Sequence, residues 1–285
     1  MVMNNSICRL GITAWGIACL LGSAALADTN KTEVSIFPDK NLEAAVRKFV
    51  FEKRDTTKPL TETDVVNLST INGAGMQIKD LTGLEKCRSL ASLDLSKNSI
   101  TNLGPLKELA GIQYLNLAEN RIEDISPLSG IKALQYIELS KNRVKDLQPL
   151  SGLTNLASLY LSHNQITDAT PVLKLTRLSS LYLDANDIQN ISGFESLGNL
   201  STLSLNKNRI SDISSLEGLS GLYYLFLENN KISDLSSLAR SAKKDYEGNK
   251  RFAPFINIFL SGNPLSGTAK KQISAMKEYG ARITF

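Results

Sequence analysis

The chain has 285 residues, 42% of them apolar and 21% charged, with a formal net charge of +4. That is enough apolar material for a large buried core, and too small a charge imbalance to mark a nucleic-acid partner. Outside residues 1 to 27 only one cysteine remains, Cys87, so no internal disulfide can form there and stability has to come from packing.

In chain order, the first segment reads as a secretory signal peptide. Arg9 supplies the positive start, Leu10 to Leu21 the apolar centre, and Ala25-Leu26-Ala27 a small-x-small cleavage site before Asp28. A lipoprotein reading, with cleavage before Cys19, competes with it, but Gly16 stands where an aliphatic residue is needed. The apolar centre is too short for a comfortable membrane span, and no later apolar run approaches that length. The expectation is a protein that is secreted, or held in the periplasm or cell envelope, after cleavage near Ala27, with no transmembrane segment in the mature chain. Without Arg9, 31 basic side chains face 28 acidic ones, and residues 240 to 285 alone carry nine basic and three acidic.

Residues 28–67 are expected to form a helical N-terminal cap. Asp39 can cap a helix on which Leu42, Ala45, Val46 and Phe49 share a face, and Thr61 with Asp64 makes a capping box ahead of Val65 and Val66. Residues 68–238 then repeat every 22 residues. Asparagine recurs at Asn98, Asn120, Asn142, Asn164, Asn186, Asn208 and Asn230, and again at Asn263 after an 11-residue insertion. Leucine or isoleucine stands five and three residues before each, as at Leu93 and Leu95 or Ile137 and Leu139. That alternation predicts a short strand with one face inside. One repeat cannot cover its own apolar residues, so the coils must stack. An amide side chain in the core needs a reason, because leucine would bury more easily. Asparagine offers donors and an acceptor at once, and is expected to bond its own loop and the next repeat's as a polar ladder. Met76 takes the asparagine slot in a degenerate first coil, and Cys87 takes an apolar slot, which predicts a buried, unreactive thiol. Asp or Asn four residues after each ladder position, often followed by Pro105, Pro127, Pro149 or Pro171, predicts a capped helical turn; a single carboxylate per coil is too few oxygens for calcium.

Residues 239–285 read as a last irregular repeat and a C-terminal cap. The stretch between Leu238 and Phe255 is expected to be a solvated loop or a longer helix on the outer side. Ala269, Ile273 and Met276 share a helix face, Gly280 ends it, and Ile283 with Phe285 predict a final strand.

The pattern L-x-x-L-x-L-x-x-N-x-I-x-D-I-x-x-L, met from Ile112 through Leu128, resembles the leucine-rich repeat in its 22-residue, internalin-like form, and the resemblance extends over about residues 33 to 285. It implies an α/β solenoid: a right-handed superhelix with a concave parallel β-sheet, short 3₁₀ or irregular convex turns, a helical N-terminal cap and a helix–strand C-terminal cap.

Function is then expected at the outward strand positions. Aromatic residues follow a diagonal track, from Tyr114 and Tyr136 through Tyr160 and Tyr182 to Tyr224 and Phe226, among small polar residues and the acidic Glu138, Asp184 and Glu228. Rigid amphipathic rings in a polar setting suit partner recognition. Catalysis is not expected. His163 is the sole histidine and sits beside a ladder residue, Gly73 and Gly75 lead into no phosphate loop, and neither metal ligands nor a cofactor motif occur at usable spacing. The reading is a non-enzymatic exported protein that binds a protein partner through the concave sheet. Alternatives are carbohydrate or envelope-polymer binding by the same aromatic face, and a phosphatase-regulator-like scaffold, which the signal peptide disfavours.

Overall fold

The structure, a computed structural model, describes residues 34–285; the expected signal peptide lies outside the described residues. Ten three-residue strands run in chain order: β1 (Thr70–Asn72), β2 (Ser92–Asp94), β3 (Tyr114–Asn116), β4 (Tyr136–Glu138), β5 (Ser158–Tyr160), β6 (Ser180–Tyr182), β7 (Thr202–Ser204), β8 (Tyr224–Phe226), β9 (Asn257–Phe259) and β10 (Arg282–Thr284). Each pairs in parallel with the next in one sheet. The register follows from the repeat. Leu115 stands opposite Leu93 and Ile137, so every inward apolar residue stacks on its counterpart one coil away. A one-residue slip would turn that whole column to solvent.

Short 3₁₀ turns lie opposite the sheet, among them Ser126–Gly130, Gln148–Leu150 and Thr170–Lys174, each with proline in its first two positions. The preceding Asp does not cap these turns directly. Asp124, Asp146 and Asp168 accept the backbone N–H of Ser126, Gln148 and Thr170, two residues on, each at 2.8 Å. They close Asx turns around an apolar N-cap residue, Ile125, Leu147 or Ala169, which is buried. The core needs an apolar side chain at the cap position, so the carboxylate acts from one residue earlier.

At the N-terminal end, α1 (Lys40–Arg47) is capped by Asp39 and buries Leu42, Ala45 and Val46, and α2 (Glu62–Val65) has the capping box of Thr61 and Asp64. Phe49 departs from expectation. The helix stops at Arg47, and two i to i−3 backbone bonds, Phe49 to Val46 and Val50 to Arg47, tighten the exit. Val50 thereby becomes buried and Phe49 turns outward. Gly83 locks this cap to the first coil: its φ is +103°, and a Cβ there would lie 2.6 Å from both the Ile36 carbonyl oxygen and the Phe37 ring.

At the other end, the insertion forms a helix, α3 (Ser236–Glu247), which opens three residues ahead of the expected boundary. Its Asp245 carboxylate accepts the N–H groups of Arg251, Phe252 and Ala253, each at 2.9 Å, folding the following loop onto the helix end. Burial works against its ionisation, but the three donors outweigh it and hold the carboxyl below its ordinary range. Helix α4 (Gly267–Glu278), capped by Ser266, buries Ala269, Ile273 and Met276. Ile283 points inward from β10, but Phe285 lies past the strand, exposed, with Lys277 Nζ 5.1 Å above its ring. The ring finds a cation on α4 instead of an inward slot.

Candidate interaction face

The ladder sets the shape of every coil. Asn164 shows the pattern: Oδ1 accepts the N–H of Val144 at 2.9 Å, and Nδ2 donates to the carbonyls of Leu161 at 2.9 Å and Leu139 at 3.0 Å. Asn120, Asn142, Asn186, Asn208 and Asn230 repeat it in the buried interior. Asn98 and Asn263 do so from half-buried positions at the two ends. The inter-coil bonds run to the preceding coil, not the next one as the sequence reading had it. The parallel chain brings the turn of the earlier coil under the later asparagine. No buried side-chain nitrogen or oxygen among the described residues lacks a partner.

This turn carries a feature that sequence reasoning missed. The residue before each of the first seven ladder positions, Lys97, Glu119, Lys141, His163, Ala185, Lys207 or Asn229, has a φ between 51° and 59°, the left-handed region, and Gly262 before Asn263 has a φ of 78°. The signal was present as the absence of any β-branched residue from that slot. Left-handed backbone costs a non-glycine residue about 1–2 kcal/mol, so Ala185→Gly is expected to raise stability by about 0.5–1 kcal/mol and Ala185→Val to lower it, as read by urea unfolding.

The open face of the sheet carries the candidate residues. Tyr114 and Tyr136 stack with centroids 4.5 Å apart, Tyr136 meets Tyr160 at 5.3 Å across the diagonal of β4 and β5, and Tyr160 stacks on Tyr182 at 4.8 Å. The expected continuous track then breaks at β7, where Thr202 and the buried Ser204 put no ring between Tyr182 and β8. A second cluster follows. Tyr224, Phe226 and Phe259 stack at 6.2 and 4.7 Å, and Tyr223 and Phe255 form a tilted pair with centroids 6.5 Å apart. Burial, then Glu138, then Tyr114 and Tyr160 push the Tyr136 hydroxyl above its ordinary pKa; burial, Tyr160 and Asp184 do the same to Tyr182. Both hydroxyls therefore stay protonated donors.

The acidic candidates are placed less freely. Asp184 spends its carboxylate on its own chain, accepting from Ser162 Oγ and the Asn206 N–H, each at 2.9 Å, and from Ser204 Oγ. It ties β5, β6 and β7 together where the aromatic track is broken. Glu138 accepts the Ser140 N–H at 2.7 Å, and the Glu228 N–H is bound by Asn206 Oδ1 at 2.7 Å. Cys87 is fully buried and its thiol is pushed up to about 12 by burial and then Glu85, so it is inert. The basic C-terminal residues spread over α3, the loop after it, α4 and β10; on α3, Arg240 forks onto Glu217 and Lys243 pairs loosely with Glu247. Among the described residues, no group of three His, Cys, Asp or Glu is placed to hold a metal ion, and no helix is long and apolar enough to cross a membrane.

Family models described as leucine-rich repeats match residues 154–196 and 198–240, and a further leucine-rich repeat model matches residues 88–144. Among solved structures, internalin C2 from Listeria monocytogenes is 30% identical with a TM-score of 0.69, the alignment covering 87% of this chain and 95% of that one. An internalin F from the same species is 25% identical, with a TM-score of 0.54 and coverage of 90% and 95%. The ectodomain of a plant membrane receptor kinase from Arabidopsis thaliana, solved in complex with Casparian strip integrity factor 2, is 23% identical with a TM-score of 0.60, covering 72% of this chain and 25% of that one. No curated protein matches the chain.

Proposed function

Because the chain belongs to the internalin-like leucine-rich repeat proteins, a fold typical of protein–protein interaction, we propose that it is an exported, non-enzymatic binding protein whose open sheet face docks a protein partner. The observation that carries this reading is the tyrosine stack from β3 to β6. Four half-buried rings from four consecutive strands stack on one another along the open face. Ordering such rings costs little further entropy on binding, since their neighbours already hold them. From β3 to β9 the two aromatic clusters span about 30 Å at strand spacing, the scale of a protein footprint.

The stack also weighs against carbohydrate. Sugars pack on open ring faces, and here Tyr136 and Tyr160 each have one stacked and one tilted tyrosine neighbour. Tyr223 and Phe255, tilted by 56° and about half exposed, are the more open aromatic pair for a glycan. Export rests on the sequence of residues 1 to 27, and fits a chain stabilised by packing with one inert thiol.

The test is chemical cross-linking in the native envelope or medium followed by pulldown, run on the wild type and on Tyr160→Ala with Tyr182→Ala. The double variant is expected to lose its cross-linked partner at least tenfold while keeping its fold by circular dichroism. Unchanged capture of every partner would move the site off this face, and binding on a glycan array that depends on Tyr223 and Phe255 would favour the carbohydrate reading.

A further inference from the structure

The residues on either side of each buried asparagine form two exposed columns along one long edge of the sheet. The first contains Lys97, Glu119, Lys141, His163, Ala185, Lys207 and Asn229; the second contains Arg121, Arg143, Gln165, Asp187, Arg209 and Lys231. Backbone bonds hold both in coil-to-coil register, Lys97 N–H to the Ala118 carbonyl and Arg121 N–H to the Ile100 carbonyl being the first of each series. Seven side chains here are cationic and two are acidic, although residues 28 to 239 as a whole carry a small negative excess. Lys141, Arg143 and Arg209 each have one exposed carboxylate at 2.5–3.3 Å, namely Glu119, Glu123 and Asp187. Lys97, Arg121, Lys207 and Lys231 have none within ion-pair distance among the described residues.

The row is about 30 Å long at strand spacing, with its cations grouped towards the two ends and none at His163, Gln165, Ala185 or Asp187. Its left-handed backbone at the first column turns these side chains out of the coil. It is bordered by acidic groups on both sides: Asp94, Glu138, Asp184 and Glu228 on the open face, and the Asx-turn residues Asp124, Asp146, Asp168, Asp212 and Asp234 beyond it. Apart from the exposed imidazole of His163, neither column contains a large apolar or aromatic side chain, so the row lacks the buried anchor from which a protein interface draws its affinity. With that single ring it also lacks the succession of aromatic side chains on which bases of a single-stranded nucleic acid would stack. A regularly charged linear polymer needs neither, because its affinity comes from releasing counterions along a line of matching charge.

We propose that this edge is a second binding surface, independent of the aromatic face, and that it takes an anionic polysaccharide laid lengthwise along the coils. The probe is a heparin-type sulfated oligosaccharide of eight sugars, titrated against the full mature chain at stepped salt concentrations. Lys97→Gln, Arg121→Gln, Lys207→Gln and Lys231→Gln combined are expected to weaken binding at least tenfold at low salt and to reduce the salt slope by about one unit per side chain that loses a contact. A control of equal charge, Lys243→Gln, Lys244→Gln, Lys270→Gln and Lys271→Gln on α3 and α4, is expected to bind within twofold of wild type. Equal losses in the two variants would overturn the proposal, because they would show diffuse attraction to net charge. So would wild-type chain that does not bind the oligosaccharide, or that binds single-stranded DNA or polyglutamate of equal charge more tightly. Circular dichroism and urea midpoints within experimental error of wild type keep the comparison free of unfolding.

Discussion

Replacing Asn164 with alanine is expected to cost about 3–5 kcal/mol of stability, the largest effect of any single substitution on the face-bearing coils. The side chain sits in the middle of the ladder and serves three backbone groups, the Val144 N–H and the Leu139 and Leu161 carbonyls. Removing it strands all three in an apolar interior, each at about 1–3 kcal/mol, offset in part by water entering the vacated space. Leucine in its place would add apolar volume and still leave the three groups unpaired, so Asn164→Leu is expected to be no better. The same change at Asn263, which is only half buried, is expected to cost about 1–2 kcal/mol because solvent can reach the freed groups. Urea unfolding of the three variants checks the order. In a stack whose coils touch only their neighbours, the Asn164 variants are also expected to broaden the transition as the two halves begin to unfold separately.

Asp39→Ala is expected to cost about 3 kcal/mol and to uncouple the N-terminal cap. One carboxylate serves two elements. Oδ1 accepts the N–H groups of Asn41 and Leu42 at 2.8 and 3.1 Å, capping α1, while Oδ2 accepts those of Lys79 and Asp80 at 2.8 and 3.1 Å from the first coil. The cap alone is worth about 1 kcal/mol, and each charge-assisted bond to the coil about the same or more. The pH dependence follows in sign. Burial opposes ionisation of Asp39, but the four donors outweigh it and its pKa in the folded chain is lowered. A lowered carboxyl pKa stabilises the fold at pH values above the unfolded value of about 3.9 and loses that contribution as pH falls through the lower folded value. Glu43, beside Lys40 and Arg47, and Asp64, beside Lys53 and Thr61, shift in the same direction. Wild-type chain should therefore lose cap stability below about pH 4, and Asp39→Ala should show a shallower loss over that window. Thermal unfolding from pH 7 to pH 3 reads both.

The coil stack was legible in the sequence because one residue type at one spacing does one job. Leu115 and Leu117 alternate because a strand alternates, and Asn120 recurs at 22 residues because each coil must satisfy the turn of its neighbour. What escaped the sequence depends on geometry that a pattern does not encode. Phe49 has helical spacing from Val46, but the helix ends before it and Val50 takes the inward place. Phe285 has strand parity with Ile283, yet its ring goes to Lys277. On the open face, spacing showed that Tyr136 and Tyr160 stand on adjacent strands, but not that their rings would touch across the diagonal, nor that Ser204 would be buried and divide the aromatic track in two. Asp184 read as a free acidic contact, whereas three donors from its own chain hold it. The left-handed residue ahead of each asparagine had only a negative signature, a slot that β-branched side chains avoid.

Native-state amide hydrogen exchange at Val144 tests the ladder most directly, because this N–H is held by the Asn164 side chain and by no strand partner. If the buried asparagines organise the stack, Val144 exchanges only with global unfolding in the wild type, as slowly as the Leu159 amide in the sheet core, and Asn164→Ala speeds it by at least a hundredfold. Exchange at Val144 as fast as at exposed turn residues such as Lys145 in the wild type, or an unchanged rate in Asn164→Ala, would contradict it.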